Sequence, residues 1–306
     1  MPLALIVEQA LNGLQLGLML FLLAAGLTLV FGIMDMINLA HGSLYMIGAY
    51  LAATVAEASG SFVAAIAAAV VGTAVIGMAL ELTILRPLYR RSHLHQVLAT
   101  FALILIANEL VRIIWGAQPM ALNMPAALSG PVELAPGLRY PAYRLVVIGV
   151  GLAAAGLLYV VVVHTRVGMW LRAGASDREM ASAMGVNTAW LFTAAFGAGA
   201  ALCAVAGALL GPLLAVQVGM GENILISAFV IIVIGGIGSV RGALVGALLV
   251  GVLDTIGRTL LPALFRALAP PAVASEAGPA LASILIYVLM AAVLYFRPRG
   301  LFPARG

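Results

Sequence analysis

The composition of the chain excludes a water-soluble protein. Of its 306 residues, 64% are hydrophobic and 8% are charged, and the mean hydropathy is +1.17. Soluble domains carry about 25% charged residues, so these few charges cannot cover a soluble surface. We therefore predict an all-α polytopic membrane protein that forms a single domain over residues 1–306.

The basic residues narrow the possible functions. All fifteen are arginine, since the sequence contains no lysine. The Walker A loop needs a lysine at the terminal phosphates, so we expect any ATP to be bound by another chain and no cofactor in this one. The arginines are scattered between apolar segments, which does not indicate a protein that binds nucleic acid.

Cysteine and histidine give no sign of a metal site. The single cysteine, Cys203, cannot form a disulfide within the chain. His93 and His95 lie beside Arg90 and Arg91, and this setting favours a solvated interfacial loop over metal binding. We expect no metal in this protein.

Uncharged apolar intervals predict eight or nine membrane-crossing helices, and nine is the preferred number. A helix needs about 20 apolar residues to cross the hydrocarbon core. The intervals are 9–34, 36–56, 58–80, 92–108, 145–165, 180–221, 223–240, 242–253 and 277–296. Because 36–56 and 242–253 are short or interrupted by glycine, a re-entrant or broken segment is the alternative there.

The arginines also predict the orientation of the helices. Arginine is enriched in cytoplasmic loops, and nine crossings place three basic stretches on one side of the membrane: residues 86–91, 166–178 and 297–305. The N-terminus is then outside and the C-terminus is cytoplasmic. Residues 116–143 and 259–279 are then predicted to be outer loops. The first of these loops is rich in proline, which is compatible with a docking surface for a partner or with a simple connection between helices.

Three polar residues interrupt the first two apolar intervals. Asp35, Asn38 and His41 lie between Gly32 and Gly42. Polar groups at membrane depth are costly and usually line a cavity or pair with one another, and glycine beside them indicates a break in the helix. The three residues are therefore candidates for a translocation path. The alternative of equal weight is a short cytoplasmic turn in which Asp35 caps the next helix.

Other ionisable residues are spaced as isolated pairs. The spacing predicts three ion pairs: Asp254 with Arg258, Glu109 with Arg112, and Glu81 with Arg86. A proton relay would need a continuous series of such groups, so these isolated pairs weigh against a proton-driven pump.

Small residues recur at four-residue spacing, which permits close approach of helix backbones in a membrane. The glycines in this pattern are Gly13 with Gly17, Gly207 with Gly211, and Gly238 with Gly242 and Gly246.

Residues 165–190 differ from the other connections. Ser176 and Glu179 form a capping-box pattern, Met180 and Met184 supply a soft apolar face, and Gly185 ends the helix. This pattern predicts a cytoplasmic helix of about two turns that docks onto a soluble partner. A helix lying on the lipid surface, the alternative, would favour more basic and larger apolar residues.

Four segments resemble the permeases of branched-chain amino-acid ABC transporters. They are residues 26–50 (GLTLVFGIMDMINLAHGSLYMIGAY), 172–188, 235–246 (GGIGSVRGALVG) and 297–302 (RPRGLF). The resemblance extends over nearly the whole chain, and it is to the shorter of the two permease subunits, which carries no fused ATPase.

The resemblance implies a multi-pass subunit of an ATP-driven importer in the bacterial inner membrane. Its implied partners are a second permease subunit, two cytoplasmic ATPase subunits that bind ATP and Mg²⁺, a periplasmic solute-binding protein and membrane lipid. This chain is then a transport subunit and not an enzyme. Pairing with a second copy of itself is the alternative to a heterodimer.

The resemblance implies branched-chain or other hydrophobic amino acids as the solute. Within the same class of importer, urea, short amides or aromatic acids are the alternative. An ATP-independent secondary transporter or channel is the alternative from a different class.

The resemblance also implies roles for particular residues. Residues 177–186 would be the coupling helix that docks onto the ATPase, with the contacts made by Asp177, Glu179, Ala181, Met184 and Gly185. A re-entrant or pore-adjacent turn would be formed by Gly235, Gly236, Gly238 and Gly242.

Overall fold

A computed structural model describes residues 3–268 and 271–302 of the chain, and most of them are helical. The helices are α1 (Leu3–Met34), α2 (His41–Ser59), α3 (Phe62–Leu80), α4 (Arg86–Leu88), α5 (His93–Trp115), α6 (Ala142–His164), α7 (Arg166–Ser176), α8 (Arg178–Ala183), α9 (Thr188–Leu210), α10 (Met220–Gly235), α11 (Val240–Leu268) and α12 (Pro271–Phe296). A π-helical turn, Glu81–Leu85, joins α3 to α4.

The helices confirm a polytopic all-α membrane protein. Six helical stretches in the described part of the chain are long and apolar enough to cross a membrane: Leu5–Met34, Phe62–Leu88, His93–Trp115, Ala142–His164, Thr188–Leu210 and Val240–Arg266. Two further apolar helices are shorter, Met220–Gly235 and Ala280–Phe296. Each of the nine predicted intervals coincides with part of a helix, while the number of crossings and their orientation stay predictions.

Helix α11 shows the structure of one interval that the sequence left open. Residues 242–253 belong to α11, which continues past Asp254 and Arg258 and holds Pro262 in its interior. Most of the predicted outer segment 259–279 is therefore helical, because α11 runs to Leu268 and α12 begins at Pro271. The predicted ion pair is present in α11, where Arg258 Nε lies 2.8 Å from Asp254 Oδ2.

The first helix is the centre of the bundle. Residues 18–25 of α1 are buried on every side, and α1 packs against α6, α9, α10 and α11. A helix that is apolar all round is typical of such an interior position.

Glycine permits the close approach of α1 to its neighbours. A Cβ at Gly17 would lie 2.8 Å from the carbonyl oxygen of Ala247 in α11, and one at Gly26 would lie 2.8 Å from that of Gly199 in α9. Since lipid gives apolar helices little hydrophobic reason to associate, backbone packing of this kind stabilises the bundle. The predicted role of the glycines in close packing is confirmed at Gly17.

The first predicted outer loop contains a hairpin that the sequence did not reveal. Strands β1 (Pro131–Ala135) and β2 (Leu138–Pro141) pair antiparallel. Tyr140 Oη donates to Asn12 Oδ1 of α1 at 3.0 Å, and Arg144 donates to the same oxygen. Burial raises the pKa of Tyr140, which keeps its hydroxyl as a donor. Hydrogen bonds thereby hold the hairpin against the N-terminal part of α1.

Candidate functional site

The predicted docking helix is present, but it begins later than expected. Asp177, not Ser176, is its N-cap: the Asp177 side chain accepts a hydrogen bond from the backbone N–H of Met180 at 2.8 Å. The predicted capping box of Ser176 and Glu179 is wrong because Ser176 is still part of α7. Aspartate caps helices as well as serine does, so spacing alone favoured the wrong residue.

Glycine ends this helix as predicted. Gly185 has a φ of +89° and donates its N–H to Ser182, while Val186 donates to Ala181. A left-handed glycine with such back-bonded amides is typical of a helix C-terminus.

The two faces of α8 have different surroundings. Ala181 is 5% exposed and packs inward, whereas Met180 and Met184 are 60% and 79% exposed. The apolar face that the sequence predicts is thus divided between the protein interior and the outside. Exposed methionines are flexible and polarizable, and they adapt well to a partner surface.

A buried carboxylate lies beside α8 at the end of α3. Glu81 is 0% exposed, and both of its oxygens accept hydrogen bonds. Arg86 donates Nε to Oε1 at 3.1 Å and Nη2 to Oε2 at 3.0 Å. Tyr89 Oη donates to Oε1 at 2.9 Å, and Thr193 Oγ1 of α9 donates to Oε2 at 2.7 Å. These four residues are called the Glu81 cluster.

The π-helical turn explains the alignment of Glu81 with Arg86. Its hydrogen bonds span five residues, and the Arg86 backbone N–H donates to the Glu81 carbonyl. Arg86 therefore lies one wide turn above Glu81 on the same face. The predicted ion pair is confirmed, but Tyr89 and Thr193 were missed. Thr193 could not be found from spacing because only the tertiary fold brings α9 to this point.

The first residue of α8 rests on the Glu81 cluster. The Arg178 guanidinium carbon lies 5.6 Å from the centroid of the Tyr89 ring and 4.7 Å from that of Phe192 in α9. Cations at this distance from aromatic faces are held by cation–π attraction. Burial, followed by the nearby Glu81 carboxylate, raises the pKa of Tyr89, so its hydroxyl stays protonated. A short contact path thus joins α8 to α3 and α9.

The candidate translocation residues occupy two different environments. The chain is not helical from Asp35 to Leu39, which is the break that the sequence predicts. Asn38 and His41 are buried, with Asn38 Oδ1 accepting from the Ala40 N–H at 3.0 Å. Asp35 is exposed and has a φ of +49°.

The alternative role of Asp35 is wrong. The N-cap of α2 is Ala40, and no side chain caps this helix. His41, the first residue of α2, instead contacts α9, where its Nε2 lies 3.0 Å from Cys203 Sγ. Whether Asn38 and His41 line a path stays a prediction.

The glycine turn joins α10 to α11. Gly236 and Gly238 have φ angles of +105° and +79°, and a Cβ at Gly235 or Gly242 would overlap the backbone of the other. The φ angles require glycine at the turn, and the close approach requires it where the two helices meet.

The segment 297–302 covers this turn, which the sequence did not reveal. Leu301 and Phe302 donate their N–H groups to the carbonyls of Ile234 and Gly235, each at 2.9 Å. The turn also approaches α1, since a Cβ at Gly32 would lie 2.8 Å from Gly238 Cα. Tyr89 Oη contacts Met34 Sδ at 3.2 Å, so the glycine turn and the Glu81 cluster lie at the same end of the bundle.

Comparison with known proteins gives a consistent result. Residues 9–294 match the family described as branched-chain amino acid transport system / permease component. The high-affinity branched-chain amino acid transport system permease protein BraD of Pseudomonas aeruginosa is 30% identical, over 96% of this chain and 94% of its own length.

Two LivH proteins are similar as well. LivH of Escherichia coli K12, named a permease protein of a high-affinity branched-chain amino acid transport system, is 32% identical over 83% of this chain and 86% of its own. A probable branched-chain amino acid transport permease LivH of Methanocaldococcus jannaschii is 28% identical over 78% and 76%. These relatives are named as permeases, not as enzymes. No solved structure matches the chain.

Proposed function

Because the chain belongs to the family of permease components of branched-chain amino acid transport systems, we propose that it is the membrane subunit of an ATP-driven importer of branched-chain amino acids. It acts in the bacterial inner membrane with a second permease subunit, two ATPase subunits and a periplasmic binding protein. ATP and Mg²⁺ are bound by the ATPases, and no covalent chemistry occurs in this chain.

The geometry of α8 carries this proposal. Met180 and Met184 project outward, so a soluble partner can contact them, while Arg178 at the other end of the helix contacts Tyr89 and Phe192. A displacement of α8 would therefore be transmitted to α9 through Phe192, and to the end of α3 through Tyr89 and Glu81. Packed interiors transmit such displacements because they have low compressibility.

Closure of the ATPase subunits on ATP would shift α8 and change the relative populations of two permease states. A ligand shifts such an equilibrium only by its differential affinity for the two states. The docking contact must therefore differ between the inward-open and outward-open forms.

The solute path is proposed to pass Asn38 and His41. Both residues are buried beside the break between α1 and α2, and Asn38 Nδ2 has no hydrogen-bond partner among the described residues. Unsatisfied buried polar groups are costly, and a passing solute or water would satisfy this one. The glycine turn at Gly235, Gly236, Gly238 and Gly242 is proposed to form the adjacent inner end of the path.

Transport in liposomes tests the proposal. The chain would be reconstituted with the second permease, the ATPase and the binding protein, and uptake of leucine, isoleucine and valine would be compared with uptake of urea and acetamide. We expect ATP-dependent uptake of the branched-chain amino acids alone. Uptake of the amides would change the solute, and uptake without ATPase would instead support a secondary transporter.

A pair of variants tests the role of α8. Met184→Asp places a charge on the exposed face, and we expect it to abolish uptake without reducing membrane insertion. Ala175→Asp, at an exposed position in the adjoining α7, is the matched control and should transport normally. Normal uptake by Met184→Asp would contradict docking through α8.

A further inference from the structure

An open cavity of about 620 Å³ lies beside the candidate docking helix. Its walls come from the π-helical turn, α4 and the loop that follows on one side, and from α8 and the start of α9 on the other. The polar lining that matters here consists of Arg86, Arg90, Arg178, Glu179, Ser182 and Thr188. The volume falls within the range of ordinary binding pockets.

The lining carries more positive than negative charge. Arg86 is neutralised by Glu81, whereas neither Arg90 nor Arg178 has a carboxylate within ion-pair distance among the described residues. Both are exposed, and Glu179 is the one acidic residue of the lining. Both guanidinium groups thus lack a carboxylate partner and can donate N–H groups to an anion, that of Arg178 while its face stays on the Tyr89 and Phe192 rings.

The remaining walls suit a side chain more than a free ion. Leu82, Pro87 and the Tyr89 ring offer apolar surface, and the hydroxyls of Ser182 and Thr188 offer further donors. A carboxylate on a short carbon stem matches this combination, because arginine binds carboxylates through paired N–H groups. The cavity also adjoins the helix that carries the exposed Met180 and Met184.

We propose that this cavity receives an acidic side chain of the ATPase subunit, so that the partner is held by two adjacent contacts of different chemistry. The methionines of α8 form the apolar contact, and Arg90 with Arg178 forms the ionic one. This inference rests on the proposed function, since it takes the ATPase as the partner that docks on α8.

The ionic contact adds a second link between α8 and the end of α3, beside the one that Arg178 makes with the Tyr89 ring. Arg90 follows α4 and lies outside α8, while Arg178 belongs to it. An acidic side chain bound between them ties α8 to the end of α3, so that the ATPase moves both together.

Two neighbouring arginines provide a matched test. Arg90 lines the cavity, whereas Arg91 is exposed but does not. We would measure the affinity of the purified ATPase for the permease complex in nanodiscs, comparing Arg90→Glu with Arg91→Glu at low and high salt. We expect Arg90→Glu to weaken binding roughly tenfold and to reduce its salt dependence, because charges at a contact rim act through association. Arg91→Glu should stay within about twofold of the wild type.

A second variant and a rescue complete the test. Arg178→Gln removes the charge but keeps a polar N–H group, and it should also weaken binding. A basic substitution on the docking face of the ATPase should restore the affinity of Arg90→Glu. Equal affinities of Arg90→Glu and Arg91→Glu would overturn the proposal. A difference seen only in nanodiscs with anionic lipid would also overturn it, since a lipid headgroup would then be the occupant.

The same experiment separates this inference from the proposed function. If wild-type complexes bind the ATPase but the two variants behave alike, only the acidic contact is refuted. If wild-type complexes do not bind the ATPase at all, the proposed function itself fails.

Discussion

Glu81 and Arg86 face each other across one π-helical turn, and both carboxylate oxygens are bonded to the guanidinium. Glu81 is fully buried, while the Arg86 side chain is 34% exposed. The pair therefore joins the interior of the bundle to the surface on which α8 lies. Tyr89 and Thr193 donate hydrogen bonds to the same carboxylate. The Glu81 side chain therefore holds together the π-helical turn, the loop after α4 and α9.

Glu81→Ala should lower the free energy of unfolding by roughly 2–3 kcal/mol. This loss is smaller than for a fully buried ion pair, because Arg86 is partly exposed to water. The variant removes the carboxylate that Arg86, Tyr89 and Thr193 share as an acceptor and leaves a cavity in its place. Thermal unfolding in detergent measures the change. Glu57→Ala, at an exposed position of α2, is the control, and equal melting temperatures would contradict the structural role of the cluster.

Tyr89→Phe keeps the ring under Arg178 and removes the hydrogen bond to Glu81, so we expect a loss of about 1 kcal/mol near neutral pH. The pKa of Tyr89 is raised in the folded protein, chiefly by burial. Protonated tyrosine is then favoured by folding, and this stabilisation is lost as pH rises above the unfolded value of about 10. The difference in melting temperature between wild type and variant should therefore shrink above that pH. A difference that stays constant would contradict a stabilising role for the protonated Tyr89 hydroxyl.

Gly242→Ala should disrupt the end of the bundle where α10 meets α11, since its Cβ would overlap the backbone of Gly235. Overpacking of this kind costs roughly 1–3 kcal/mol. Gly149→Ala is the matched control: a Cβ there meets nothing within 4 Å, and alanine favours helix by about 1 kcal/mol. Melting temperatures should move in opposite directions, and a similar fall in both would show that the helix contact is unimportant.

Cys203 offers a test of the proposed path. It is the single cysteine of the chain, and it is buried beside His41. If the path opens past His41 during transport, a small thiol reagent should label Cys203 several-fold faster in the cycling complex than in the resting one. A Cys203→Ala chain carrying Ala175→Cys, at an exposed position of α7, controls for reagent access. Equal labelling of Cys203 in both conditions would place the path elsewhere.

The sequence was most informative where hydropathy and local spacing decide the structure. Apolar intervals predict the long helices because a span must be apolar throughout. The ion pair of Glu109 with Arg112 is present at 3.0 Å, as its three-residue spacing predicts. The end of α8 at Gly185 follows from the left-handed backbone that glycine permits.

Contacts between distant segments could not be predicted in this way. Thr193 is an ordinary residue of an apolar helix until the fold brings it to Glu81. The hydrogen bonds of Leu301 and Phe302 to α10 use backbone groups, which every sequence has. The cap of α8 was misplaced because Ser176 and Asp177 are both good caps, and only the backbone shows where α7 ends.

The central place of α1 has a consequence for biogenesis. This helix is synthesised well before α11, yet Gly13 and Gly17 pack against α11. At ordinary translation speeds α1 must wait on the order of ten seconds or more before α11 emerges. Throughout that interval its polar Asn12 and Gln15 lack the finished bundle around them. The close contact of Gly13 and Gly17 with α11 can therefore form only late in synthesis.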